Sequence, residues 1–205
     1  MGGDLSVVRA ARVSYGEESK GAKADKKLIN YMMKHKHGTP FEHIVYTFHI
    51  KCPIFVARQW FRHRIGSFNE ISGRYVEVAT NFWVPEAWRS NNQDNKQSSS
   101  EGGFTPVEAE ELYRKYHSVL DLSALIYEEL LEAGVAREQA RAILPIGTYT
   151  EFYWTVNARS LFNFLSLRTA PDAQQEMRDW ALAVKEIVEI TAPHTFDAYN
   201  AQEAT

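Results

Sequence analysis

The stretch RHRIGSFNEISGR, residues 62–74, opens on Arg62, His63 and Arg64 and continues with Ser67, Asn69, Glu70, Ser72 and Arg74. Between residues 58 and 74 stand four arginines and one carboxylate, a local excess of three positive charges in a chain whose formal net charge is -3. Guanidinium is the side chain best shaped for bidentate contact with phosphate. Ser67, Ser72 and the backbone N–H groups around Gly66 and Gly73 can complete an anion nest. Just upstream, Gln59, Arg62 and His63 fall at i, i+3 and i+4 and share one helical face. Arg58 and Arg62, also four apart, cost about 0.2–0.5 kcal/mol as like charges unless an anion lies between them. Trp60 and Phe61 imply that this helix is partly buried, and arginines buried with it need partners. Glu70 is the odd member. A polyanion site gains nothing from a carboxylate, whereas a nucleotide pocket can use one to accept a ribose hydroxyl or a base N–H.

The chain has 205 residues, 44% hydrophobic and 13% aromatic, enough for one domain with a substantial core. Its 23 Lys+Arg against 26 Asp+Glu, with a pI near 6.2, is not the balance of a general nucleic-acid binder. Anion chemistry must therefore be local. A lone cysteine, Cys52, leaves no disulfide framework and no Cys-rich metal site. No apolar run approaches a membrane span, and MGGDLSVVRAARVSY lacks the apolar centre of a signal peptide, so a soluble cytoplasmic protein is expected.

The elements that must position these residues are legible in outline. DKKLINYMMKHK (25–36) has helical spacing, and Gly38-Thr39-Pro40 ends it. Residues 43–51 alternate as a strand, Pro53 opens a short helix to Phe61, and YVEVATNFWV (75–84) reads as a strand after a loop punctuated by Gly66 and Gly73. The polar, Ser-rich segment 90–103 is expected to be a mobile loop inserted in a single domain, 1–205. Thr105-Pro106-Val107-Glu108 is a capping box that starts the longest helix, to about Glu132, with Gly134 as its stop. Helices over 137–144, 158–167 and 173–191 and a strand over 148–156 complete an α+β fold, an antiparallel sheet flanked by helices with a long helical hairpin.

Other clusters weigh less. His35, His37, Glu42, His43 and His49 invite a metal, but none of their spacings puts ligands on one ion, and a helix C-terminal cap explains His35 or His37 equally well. In TVNARSLFNFLSLR, Asn157 is placed to cap a helix, Asn163 sits among apolar neighbours and is expected to be buried, and Arg168 ends the helix. Arg141 is expected to be a half-buried cation. Cys52, between Lys51 and Pro53, reads as a packing residue rather than a nucleophile.

Taken together, RHRIGSFNEIS, with RAARVSY, HGTPFEH, PIFVARQWFRHR, NEISGRY, ARAILP and YWTVNARSLFNFLSLR, resembles the flavin-dependent thymidylate synthase family from about Asp4 to Tyr199. The resemblance implies a homotetramer with active sites at subunit interfaces. Its reaction would be reductive methylation of dUMP, with FAD as hydride carrier, methylenetetrahydrofolate as carbon donor and NADPH as reductant. It implies that Thr39, Arg62, His63, Arg64, Glu70, Asn157, Ala158, Arg159 and Asn163 contact FAD. Gln59, Arg62, Glu70, Ser72, Gly73, Arg74, Arg141 and Arg168 would hold dUMP. Arg168 would polarise the uracil ring, His37 would lie near flavin and folate, and Ser72 would donate a hydrogen bond rather than act as a nucleophile. Two departures stand out. The family usually opens with an extra strand before the Asp-Leu-Ser block, and this sequence starts almost at that block, so either a shortened start or a different sheet edge is expected; and Asp172 stands where many members carry a histidine. The competing reading, from the residues alone, is a loop that binds RNA or DNA phosphates.

Overall fold

Strand β1, Val45–Pro53, buries every second residue from Phe48 to Cys52, and β5, Tyr149–Asn157, does the same with Thr150, Phe152, Trp154 and Val156. Together with β2, Ser67–Glu70, they form one sheet in the order β1-β5-β2. The pairing is antiparallel. The Ala158 N–H donates to the Ile44 carbonyl, the Thr47 and Thr155 hydroxyls meet at 2.9 Å, and the Ile71 N–H donates to the Glu151 carbonyl. The computed structural model describes residues 2–16, 18–91, 99–100 and 102–204. They divide into two units. One comprises 1–48, 63–68 and 154–205; the other comprises 49–62 and 69–153.

The first unit carries α1 (Asp4–Arg12), α2 (Ala22–Lys34), a 3-10 helix (Thr39–His43), α6 (Ala158–Arg168), α7 (Gln175–Thr191) and α8 (Pro193–Glu203). Its core is Val7, Ile29, Phe41, Ile44, Trp154, Leu161, Phe164, Leu165, Met177 and Phe196, all at or below 2% exposure. Asp4 ties the ends together. Its carboxylate accepts the N–H groups of His194 and Thr195, at 3.0 and 2.9 Å, and the Thr195 hydroxyl at 2.7 Å, which satisfies the open N-terminal amides of α8. Arg12 and Asp25 form a buried pair at 2.9 Å. Burial alone would push the Asp25 carboxyl up, but the Ser19 hydroxyl, the Lys20 N–H and Arg12 outweigh it and hold the carboxyl below its ordinary range.

The second unit carries α3 (Ile54–Trp60), a two-residue ladder of β3 (Ser90–Asn91) and β4 (Ser99–Ser100), α4 (Pro106–Glu132) and α5 (Arg137–Ala140). Pro53 precedes α3, and two of the helix's first amides, those of Ile54 and Phe55, donate to the Thr148 and Ile146 carbonyls instead of standing open. Thr105 and Glu108 make the expected capping box, and Gly134 adopts φ 79 beyond the end of α4.

Four expectations need correction. Residues 75–84 do not form a strand. Their backbone groups go to scattered partners, the Val78 N–H to the Tyr127 hydroxyl and the Trp83 N–H to the Gly147 carbonyl, with Phe82 making a single bridge to Thr148. Residues 67–70, expected as loop, are strand β2. The ends of the polar insertion pair, Ser90 with Ser100 and Asn91 with Ser99; the expected mobility of 92–98 falls on residues outside those described. The arm returning from α4 is one turn of α5 and a 3-10 turn, Arg141–Ile143, so the long helix has no long partner in a hairpin.

Candidate functional site

In the first unit, Arg168 closes the last turn of α6, and its Nε–H donates to Nε2 of His63 at 2.9 Å. The imidazole also packs edge-on against Phe164, with ring centroids 5.0 Å apart. Burial first, and the Arg168 charge second, push the His63 pKa from 6.5 down to about 4. His63 is therefore neutral near pH 7, with its proton on Nδ1 and its Nε2 lone pair turned to the guanidinium. Arg168 is thereby aimed by a group that adds no charge of its own.

The remaining candidates of this unit are spread over α6, the segment after α2 and the approach to β2. On α6, Arg159 and Asn163 are i, i+4 neighbours, both exposed, and Arg159 pairs with Glu42 at 2.6 Å. Gly38 makes that pairing possible, because a Cβ there would stand 2.6 Å from the Arg159 Nε. Asn163 is thus a surface amide rather than the buried one expected, since its helix turns its other face to Leu161, Phe164 and Leu165. Asn157 caps α6 by accepting the Ser160 N–H at 2.9 Å, and Ala158 is fully buried, its N–H held by Ile44. His37 is exposed beyond α2, nearly parallel to Tyr31 at 6.1 Å, next to Lys36, whose φ of 57 is unusual for a residue with a side chain. Thr39 is exposed at the start of the 3-10 helix, and Arg64 is exposed before β2.

In the second unit, Glu70 ends β2 and accepts the Thr150 hydroxyl at 2.6 Å. Beyond it the chain turns. The Arg74 N–H donates to the Ser72 hydroxyl oxygen at 3.3 Å, which leaves the Ser72 hydrogen to point elsewhere. Arg74 pairs with Glu138 at 3.3 Å. Gly73 is buried, and a Cβ there would come within 2.7 Å of Val78 and 3.2 Å of the Arg141 side chain, so its bare Cα lets Arg141 lie against the turn. Arg141 is exposed, not half-buried as expected, because it lies on a one-turn 3-10 helix. Gln59, partly exposed, and Arg62, exposed, end α3 and the turn after it.

The arginines of the opening stretch are exposed rather than buried, since Val56, Ala57 and Trp60 turn inward and Phe61 packs on Phe152 while Arg58 and Arg62 face solvent. Neither Arg62 nor Arg64 meets a carboxylate among the described residues. Their charge is open to a ligand. Cys52 is fully buried, and burial first, then the Glu70 charge, push its thiol up to about 12, so no thiolate is available. Among the described residues no group of three His, Cys, Asp or Glu gathers as a metal site. No helix among them is long and apolar enough to cross a membrane.

Residues 1–194 match the family described as thymidylate synthase complementing protein. The chain belongs to the flavin-dependent thymidylate synthase family. It is 52% identical over 199 residues to the flavin-dependent thymidylate synthase of Thermosipho melanesiensis, covering 97% of this chain and 86% of that one. The corresponding enzyme of Thermus thermophilus is 51% identical over 200 residues, with 98% of this chain and 73% of that one covered. Among solved structures, the UMP/dUMP methylase PolB from Streptomyces cacaoi, bound with 5-Br UMP, superposes with a TM-score of 0.87 at 36% identity, over 97% of this chain and 89% of that one.

Against that family frame, the residues missed from sequence are the partners rather than the principals. Thr150 holds Glu70, Glu42 holds Arg159, and Glu138 holds Arg74. Glu42 stands within the motif HGTPFEH, but the 117 residues that separate it from Arg159 hid the pairing.

Proposed function

We propose that the protein makes dTMP by reductive methylation of dUMP, with methylenetetrahydrofolate as carbon donor and NADPH as reductant. The observation that carries this reading is a guanidinium, Arg168, held by a neutral imidazole at 2.9 Å. Carbon 5 of uracil is a weak nucleophile until negative charge on the ring is stabilised. A fixed cation does that electrostatically, without reorganising at the moment of reaction. The alternative activation, addition of a cysteine thiolate to the ring, has no candidate, since the Cys52 thiol is buried and its pKa pushed up to about 12.

The residues fit a flavin dinucleotide as a donor set, because Arg62 and Arg64 have exposed guanidiniums without carboxylate partners among the described residues. Those two, with His63, Thr39, Glu70, Asn157, Ala158, Arg159 and Asn163, are the residues we assign to FAD. When bound, the flavin supplies the hydride that turns the transferred methylene into a methyl group. Of these residues, Asn157 acts by fixing the start of α6, and Ala158, fully buried with its N–H given to Ile44, acts by seating that turn against the sheet. Gln59, Ser72, Gly73, Arg74 and Arg141, with Arg62 and Glu70, bind dUMP. Arg74 and Arg141 meet its phosphate, Ser72 donates its free hydroxyl hydrogen, and Glu70, already holding Thr150, keeps lone pairs for a ribose hydroxyl or base N–H. His37 lies near flavin and folate. Asp172, exposed after α6, tunes folate or nicotinamide binding.

The balance closes. The methylene carbon passes to carbon 5, which loses its proton; the hydride that completes the methyl group originates from NADPH by way of the flavin; the two folate nitrogens take up the carbon 5 proton and one from solvent, and tetrahydrofolate and the oxidised nicotinamide leave. We propose further that the chain acts as one synthase domain in the cytoplasm, as a homotetramer with active sites at subunit interfaces. Val119, Leu122 and Leu125 support an assembly, being more than half exposed on α4. Neither nucleic acid nor membrane is a partner. The first test is colour. Purified protein should be yellow and show a flavin spectrum, and a colourless sample that takes up no added FAD would contradict the reading. The RNA- or DNA-binding alternative requires an affinity that collapses as salt rises.

A further inference from the structure

The exposed residues of α2 are Ala22, Lys23, Lys26, Lys27, Asn30, Tyr31 and Lys34, so this surface carries four lysines and no carboxylate. The helix's one acid, Asp25, is buried against Arg12. At 3.6 residues per turn, Lys23, Lys27, Asn30 and Lys34 fall within an arc of roughly 60° and form a straight stripe about 16 Å long. Lysines four apart on one face repel, so the stripe is destabilising unless something negative lies along it. Asp197 of α8 partners Lys26 at 2.8 Å. Lys23, Lys27 and Lys34 meet no carboxylate among the described residues. The N-terminal half of the stripe borders an open groove of about 410 Å³, lined by Lys23, Lys26, Lys27, Asn30 and His194. The other end runs into His35, Lys36 and His37, all exposed.

A row of ammonium groups interrupted by an amide and an imidazole suits a flexible chain in which carboxylates alternate with amide links. A nucleic-acid backbone would be better served by arginine forks and stacking aromatics, which the groove lacks. A linear anion entering at Lys36 would start beside His37, the residue assigned to the folate end of the site. We propose that the α2 stripe and its groove bind the γ-linked oligoglutamate tail of the one-carbon donor. This rests on the reading of the protein as a user of methylenetetrahydrofolate. The lysines supply attraction without a fixed pose, so the gain appears as a lower KM for long-tailed donors that shrinks with salt, and kcat does not change.

The test compares methylenetetrahydrofolate carrying one glutamate with the form carrying five, at low ionic strength. It uses the native chain, the Lys23→Ala/Lys27→Ala/Lys34→Ala variant and the corresponding triple Arg variant. All three positions are exposed, so the fold should survive, which a melting curve verifies. For the native chain the five-glutamate donor should have a KM about fivefold lower. The ratio should fall to near one in the Ala variant and return in the Arg variant. A fluorescent γ-linked pentaglutamate should bind the native chain and not the Ala variant, independently of turnover. Equal KM values for the native chain, or a ratio that survives the Ala variant, would overturn the proposal, as would a single-stranded oligonucleotide binding the stripe more tightly than the peptide. Absence of turnover with either donor would sink the functional reading instead, and peptide binding would still decide the site.

Discussion

Arg168 and His63, 105 residues apart in sequence, are joined by a hydrogen bond of 2.9 Å from the guanidinium Nε–H to the imidazole Nε2. The bond exists only while Nε2 is unprotonated. Burial and the neighbouring cation ensure that it is, by pushing His63 down to about 4.

Removing the cation should cost far more than removing its support. Arg168→Ala is expected to lower kcat by about 10²–10³-fold, the usual loss for one preorganised charge at a reacting centre. His63→Phe keeps a ring against Phe164 but deletes the acceptor, and should lower kcat about tenfold. Both should melt within a few degrees of the parent. A His63→Phe variant with unchanged kcat would show that Arg168 needs no aiming.

The same bond sets a pH dependence. The folded-state pKa of His63 lies below its ordinary value of 6.5, so between pH 6.5 and about 4 the unfolded chain binds a proton that the folded one refuses. Above 6.5 the group makes no difference. As pH falls through that window, stability drops, and the full loss is reached below about 4. Urea midpoints at pH 7, 5.5 and 4.5 should fall more steeply for the native chain than for His63→Phe, and parallel curves would refute the assignment.

Gly73→Ala should damage substrate binding by displacement. The added methyl would stand 2.7 Å from Val78 and 3.2 Å from Arg141. Overpacking of this kind costs about 1–3 kcal/mol. Because Arg141 must move, the KM for dUMP should rise at least fivefold while flavin content is unchanged. Isothermal titration with dUMP checks this, and unaltered affinity would separate Arg141 from the substrate.

Thr150→Val tests the support of Glu70. The valine fills the same buried space but cannot donate to the carboxylate, which now receives that hydrogen at 2.6 Å. The freed carboxylate can swing, so the KM for dUMP should rise severalfold with little change in melting temperature. Thr150→Ser, which keeps the hydroxyl, should restore it.

Cys52→Ala should leave kcat within twofold and cost about 1 kcal/mol of stability, as a small loss of buried volume. Iodoacetamide should not inactivate the native chain. Inactivation blocked by dUMP would place a thiol in the reaction and remove the need for electrostatic activation by Arg168.

What could be read in the sequence was what is local. The capping box of Thr105 and Glu108 fixed the start of α4, and the alternation around Phe48 and Ile50 marked β1. Cys52 was legible as packing from its neighbours alone. What escaped depends on partners far along the chain. Strand β2 is a strand because β5 lies beside it, and nothing within SFNE says so. YVEVATNFWV has strand-forming residues, yet the Tyr127 hydroxyl, 49 residues away, takes its Val78 N–H and no ladder forms. Helix α1 carries weak local signals and is tied down by Asp4 to Thr195, 191 residues distant. The site divides in the same way. Its arginines could be picked out from type and spacing, while their exposure and the acids that hold them could not.

Anaerobic mixing decides whether this chain forms dTMP through its flavin. The NADPH-reduced protein is combined with dUMP and methylenetetrahydrofolate, and flavin absorbance and dTMP are followed together. Reoxidation of the flavin with stoichiometric dTMP is expected, both slowed about 10²–10³-fold in Arg168→Ala. Reoxidation without dTMP, or dTMP formation undiminished in Arg168→Ala, would contradict this expectation.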